Sequence, residues 1–243
     1  MKKRNILIGT LLLLGVIIVG FILFSNSNLI FKNDGKSAVH TPVRVGKGEG
    51  RAMLEATFED FKSAVNNSDI VVDITITSWI SEDKKDLCST FFNAKVNTCL
   101  KGNSPDKIVL SHFGNSELTL KNYPLFDVGD RMIVFLKKST DAGYDNAYYL
   151  IGEYTSIIDV KMIDNTLYTA DRWGVLTEEI TKNDPNNDSS NFTKVDADKK
   201  SEFLNQIYLY DTLKYKPEGM YKNFFLYIEL VNEIKNIAIE GGN

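Results

Sequence analysis

Two cysteines and two histidines are all that 243 residues hold of the usual zinc and haem ligands. No Cys-x-x-Cys or His-x-x-x-His spacing occurs, so no metal centre and no cofactor are expected. There is no Gly-x-Ser-x-Gly turn to raise a nucleophilic serine. His40 and His112 stand far apart, and His112 reads as a surface or satisfied strand histidine. Sustained basic clusters are missing as well. With 28 Lys and Arg against 32 Asp and Glu, the net charge is −4, and nucleic acid is not an expected partner. Paired carboxylates are few. Asp127 and Asp130 frame Gly129 and read as turn chemistry, and Glu178-Glu179 as a solvated face. A glycosidase needs two carboxylates set across a cleft, which neither spacing supplies.

What is present begins with a long uncharged run. Residues 1–5 read MKKRN, and Ile6 to Phe24 then carry nineteen residues without a charge. At 1.5 Å per residue that helix spans about 28 Å, close to the hydrocarbon core of a bilayer. Backbone groups in lipid must pair internally, so the run is expected to be a helix. Lys2, Lys3 and Arg4 place residues 1–5 on the cytoplasmic side and the rest outside. The expectation is a single-pass cell-membrane protein anchored through residues 6–24. A cleaved signal peptide is the rival, but its apolar run is usually shorter and a small-residue site follows it. A lipoprotein needs a cysteine after the run, and the first is Cys88.

Residues 25–53, punctuated by Gly46, Gly48 and Gly50, read as a flexible tether. Leu54, Phe58, Phe61 and Val65 share one helical face, with Thr57 and Asp60 in a loose capping pattern. From Asp69 the period becomes two. Ile70, Val72, Ile74 and Ile76 alternate with Val71, Asp73, Thr75 and Thr77. Further strands are expected at Thr90–Val96, Ile108–His112, Arg131–Lys137, Tyr148–Gly152, Ser156–Ile163 and Thr166–Thr169. Ile74, Val96, Val134 and Leu136 are the expected core. Short strands joined by turns with no helix between them predict a mainly β fold, an antiparallel OB-like barrel within residues 54–170. Residues 171–195 read as a mobile loop region, and residues 196–243 as two C-terminal helices broken at Lys216-Pro217-Glu218-Gly219.

Four stretches in this order, SDIVVDITITSW, FFNAKVNTCLKGNSPDKIVLSHFG, YPLFDVGDRMIVFLKKS and YYLIGEY, resemble a group of bacterial extracytoplasmic domains. Those domains are similar to the OB-like barrel of the tissue inhibitors of metalloproteinases and netrin-type modules. The matching span is Ser68 to Asp159, and its markers are the "LKG" strand end, the "PL…VGDR" turn and the "IVFLKK" strand. The resemblance implies the fold. It does not carry inhibition over, because the animal inhibitors reach zinc through an N-terminal cysteine and this chain has only Cys88 and Cys99.

Aromatic residues are the most suggestive candidates for a site. Trp79 and Phe91 fall opposite the core positions of their strands, Tyr144, Tyr148, Tyr149 and Tyr154 cluster near the fifth strand, and Arg172-Trp173 follow. Exposed aromatics with arginine mark binding patches. Trp79, Phe91, Tyr149, Tyr154, Arg172 and Trp173 are therefore the candidate binding residues, unless the C-terminal helices cover that face. The expected function is a non-enzymatic binding module for a protein, a peptide or cell-wall glycan. An inhibitor of extracellular peptidases and a cell-envelope hydrolase are the alternatives. Cys88 and Cys99 are expected to be free thiols. An extended strand from Cys88 to Val96 alone spans about 26 Å, and a disulfide needs Cα atoms within about 7 Å. Cys99 is expected near the core.

Overall fold

The computed structural model describes residues 48–50, 60–84, 88–120, 123–140, 143–152, 156–172, 174, 176–178, 180, 192–208, 221 and 223–241. The chain divides into two compact units, Met1–Thr41 and Pro42–Asn243, and every described residue belongs to the second. The expected anchor at residues 6–24 lies outside the described residues. Among these no helix is long and apolar enough to cross a membrane.

Ten strands are described: β1 (Gly48–Gly50), β2 (Ile70–Asp83), β3 (Ser89–Lys101), β4 (Lys107–Phe113), β5 (Leu118–Leu120), β6 (Arg131–Lys138), β7 (Ala147–Leu150), β8 (Ile157–Ile163), β9 (Thr166–Asp171) and β10 (Phe224–Leu226). The described helices are α1 (Phe61–Asn67), α2 (Ala197–Tyr208) and α3 (Tyr227–Gly241). Strands β2, β3, β4, β7 and β6 close into a five-stranded barrel, and β8, β9 and β10 continue the sheet outward from β6. β6 serves both, because Met132–Val134 pair with β8 while Leu136–Lys138 pair with β7. The architecture is mainly β with a closed barrel, compatible with an OB-like barrel.

One pairing departs from an antiparallel barrel. β4 and β7 run parallel, Val109 beside Ala147 and Ser111 beside Tyr149. Alternation within a strand reveals which face is buried but not the sense of its neighbour. Here the chain returns to β4 only after crossing through β6.

The barrel has a core on each side of its wall. Inside lie Val72, Ile74, Ile76, Phe92, Leu110, Met132, Val134 and Leu136, with others. Val96, expected among them, is only half-buried but packs against this group. Outside, Val71, Ile133, Phe135, Ile158 and Val160 meet α1 and α3. β6 is thus buried on both faces, which is why RMIVFLKK reads as a continuous apolar run rather than an alternating one. Helix α1 turns Phe61, Ala64 and Val65 into this outer core, and α3 turns in Leu230, Val231, Ile234 and Ile237. Asp60 caps α1: its carboxylate accepts from Ser63 N at 2.5 Å. Thr57 lies outside the described residues. At the other end the Lys101 ammonium donates to the carbonyls of Asn66 and Ser68, where a cation suits the helix C-terminus.

Two expectations change. Within the tether, Gly48–Gly50 pair in parallel with Leu118–Leu120. The second C-terminal helix starts late, because Phe224–Leu226 form β10 against β9. Phe224 and Phe225 point to opposite sides, Phe224 toward Phe203 of α2 and Phe225 into the outer core. That is strand alternation, although Phe224, Ile228 and Val231 fit a helical spacing equally well.

Cys88 and Cys99 are both free. Cys99 is exposed, contrary to expectation, although it pairs with Val72 of the inner core. Leu100 takes the buried position instead. Thiol alkylation under denaturing, non-reducing conditions should add two labels. Under native conditions Cys99 should react first. Cys88 is half-buried, and burial, then the charges of Asp83 and Glu117, push its thiol up, leaving less thiolate at neutral pH. Equal native rates would contradict this placement.

Candidate functional site

The register of the barrel builds one outward row across its wall. Ser81 of β2 opposes Phe91 of β3, Phe91 opposes Ser111 of β4, Ser111 lies beside Tyr149 of β7, and Tyr149 opposes Lys137 of β6. Phe91, Ser111, Tyr149 and Lys137 each have an inward neighbour in the barrel core: Phe92, Leu110, Tyr148 and Leu136. The row therefore faces out by alternation. Tyr144, from the connection between β6 and β7, reaches over this row. Its ring lies 5.3 Å from that of Phe91, and its hydroxyl is 2.9 Å from Ser81 Oγ. Tyr149 is 43% exposed. One row further along, exposed Asn93 donates to Ser78 Oγ at 2.9 Å. The result is a polar wall carrying an aromatic cluster, with hydroxyl and amide groups beside it.

α2 and α3 leave this row clear. Among the described residues they pack on β2, β6, β8, β9 and β10, and on β3 at its Thr98–Leu100 end. The helices cover the opposite part of the barrel wall.

Of the four candidate residues that are described, Tyr149 alone is exposed on this face. Phe91 belongs to it but is 7% exposed, because Tyr144 lies over its ring. Trp79 does not belong. The register shifts between Ile76 and Ser78, so Trp79 pairs with Phe92 and packs against the inner core. A bulge inserts one residue and reverses which side chains face inward. Arg172 is a correction too. It is buried at 6% exposure, its guanidinium donating to Asp159 at 2.8 and 2.9 Å, and Tyr221 adds a hydroxyl to the same carboxylate at 2.6 Å. Burial alone would push the Asp159 carboxyl up. The Arg172 charge and its hydrogen bonds outweigh that and hold it below the usual range. Tyr154 and Trp173 lie outside the described residues.

The segment expected to be a mobile loop opens on buried polar structure. Asp171 accepts from Thr177 N and Oγ1, and Asn223 donates to Thr177 Oγ1. A second network joins α3 to the barrel. Buried Asp73 accepts from Arg131 Nη2 at 2.6 Å, from Tyr227 Oη at 2.8 Å and from Asn97 Nδ2 at 3.1 Å. Both networks are saturated by neighbours in the same fold and read as fastening. His112 is no surface residue. It is fully buried, stacked on Tyr123 at 4.4 Å and met edge-on by Phe126 at 4.3 Å. The Asp127 and Asp130 pair does close a turn, with Asp127 N donating to Asp130 Oδ2 at 2.8 Å. Among the described residues no group of three His, Cys, Asp or Glu side chains could hold a metal ion.

What fold and face define together is a barrel protein with an outward aromatic and polar patch on β3, β4 and β7. No protein-family model matches the chain, and no curated protein matches it in sequence.

Proposed function

We propose that this chain is a membrane-tethered, extracytoplasmic binding module without catalytic activity, whose ligand lies on the outward face of β3, β4 and β7. The single observation that carries this reading is the in-register row Ser81, Phe91, Ser111, Tyr149 and Lys137, with Tyr144 packed on it and Tyr149 left exposed. OB-like barrels bind extended ligands on the face of their second and third strands, flanked by the loops after the first and fourth. Taken in chain order, the barrel strands are β2, β3, β4, β6 and β7, so those are β3 and β4, and Tyr144 lies in the loop after the fourth, β6. The uncharged run Ile6–Phe24, with Lys2, Lys3 and Arg4 before it, supports an outer location. The resemblance to the bacterial domains similar to netrin-type modules agrees with the barrel order and gives no activity.

Tyr149→Ala removes an exposed aromatic whose loss leaves the cores untouched. Binding of the full chain to an array of immobilised cell-surface glycans and peptides should weaken about tenfold, the scale of an aromatic at the centre of an interface. The far-ultraviolet spectrum should not change. Equal binding by parent and variant would refute this face.

A further inference from the structure

The outward face of β3 and β4 carries a second feature beyond the aromatic row. Lys95 and Lys107 are directly opposed cross-strand partners, and both are exposed. Their neighbours Ala94 and Ile108 turn into the inner core, which sends both lysines outward. Like charges directly opposite one another across an antiparallel pair oppose folding. Neither lysine makes an ion pair with a described residue. Acidic side chains are not scarce in a chain of net charge −4. Asp69 lies 3.7 Å from Lys137 of the same face, whereas Asp106, the one acidic residue adjacent in sequence to either Lys95 or Lys107, pairs with neither. An unneutralised pair that costs the fold something is a fixed positive site for an anion.

Lys95 lies four steps along β3 from Phe91, about 13 Å. Exposed Asn93 lies between them. The face thus runs from an aromatic row through an amide to paired cations. An extended peptide could not add itself as a strand here. Ser89–Lys95 are paired on both sides, by β2 and β4, and β7 is flanked by β4 and β6. A sugar chain needs no main-chain edge. Its C–H faces lie against flat rings, and its hydroxyls pair with hydroxyl and amide side chains.

Resting on the binding face argued above, we propose that its ligand is an anionic polysaccharide, held by Lys95 and Lys107 at its acidic groups and by Tyr149 against a sugar ring. The test is fluorescence anisotropy of the full chain in neutral detergent with labelled dextran sulfate and polygalacturonate. Unsulfated dextran and poly-glutamate of matched length are the comparators. At least one acidic polysaccharide should bind, more weakly as salt is raised, with both comparators at least tenfold weaker. Lys95→Ala with Lys107→Ala should lower affinity about five- to tenfold and flatten the salt dependence, the scale of two exposed charge contacts. Tyr149→Ala should lower affinity while leaving the salt dependence steep. Unchanged affinity in the double lysine variant, with loss in Tyr149→Ala, would overturn the anionic ligand and leave the face standing. Poly-glutamate binding as tightly as the polysaccharides would reduce the face to a charge patch and overturn the glycan. Failure of both acidic polysaccharides to bind overturns the proposal, and indifference to all three substitutions removes the face itself.

Discussion

Arg172→Ala should destabilise the fold by about 3–5 kcal/mol, the cost of leaving one partner of a buried ion pair without the other. Asp159 and Arg172 are both nearly inaccessible, and their two hydrogen bonds at 2.8 and 2.9 Å satisfy the carboxylate together with Tyr221. The pH dependence gives a second readout. In the parent the folded Asp159 carboxyl lies below its ordinary value. Its contribution is therefore complete above about pH 4 and is lost as pH falls through the folded value. In Arg172→Ala, burial is opposed only by the weaker pull of Lys161 and by the Tyr221 hydroxyl, so the folded value should rise above the unfolded one. The variant's deficit then shrinks as pH falls, because a proton on Asp159 relieves the buried charge. Melting temperatures of parent and variant at pH 7 and pH 5 decide the matter: the gap should narrow at pH 5. A deficit under 1 kcal/mol, or a gap that widens at pH 5, would mean the pair is not buried as described.

Arg172 also shows where sequence reading reaches its limit. Beside Trp173 it looks like half of a surface patch, because adjacency is visible and burial is not. Its partner Asp159 is thirteen positions away on β8, brought opposite by the hairpin with β9. No local pattern signals that pairing. The strands themselves were legible, since period-two alternation survives wherever one face is dry. β6 was legible for the opposite reason, a run of apolar residues long enough only for a strand buried twice. Bulges were not legible. The slip after Ile76 turned Trp79 inward, and the slip between Val71 and Val72 left Leu100 as the extra residue, packed in the outer core. Each is a single inserted residue whose energetic reason lies in the neighbouring strand. The outward row was half legible. Phe91, Asn93 and Lys95 share a parity on β3, and Tyr149 stands at the polar position of β7. Opposition of Lys95 to Lys107 needed the register, which depends on how the Lys101–Asp106 turn is closed.

Phe135→Ala should cost about 3–5 kcal/mol, the range for removing a fully buried aromatic side chain. β6 is buried on both of its faces. Val134 and Leu136 point into the barrel, and Phe135, between them, points the other way. There it meets the edge of Phe61 with ring centres 5.9 Å apart, in the layer that α1 and α3 complete. Truncation leaves a cavity beneath α1, a helix of seven residues that is too short to hold its shape without that packing. Hydrogen exchange should therefore quicken first at Ala64 and Val65 and along the facing turn of α3, while the amides of Phe92 and Leu110, on the far side of the barrel, stay protected until global unfolding. Tyr149, Lys95 and Lys107 of the ligand face stand on β7, β3 and β4, outside that layer, so whatever fraction remains folded should bind as the parent does. Loss of protection in β3 and β4 together with α1 would show that the inner and outer cores melt as one unit. A melting temperature equal to the parent's would place Phe135 outside any packed layer and contradict the register of β6 against β2, in which Phe135 stands opposite Val71.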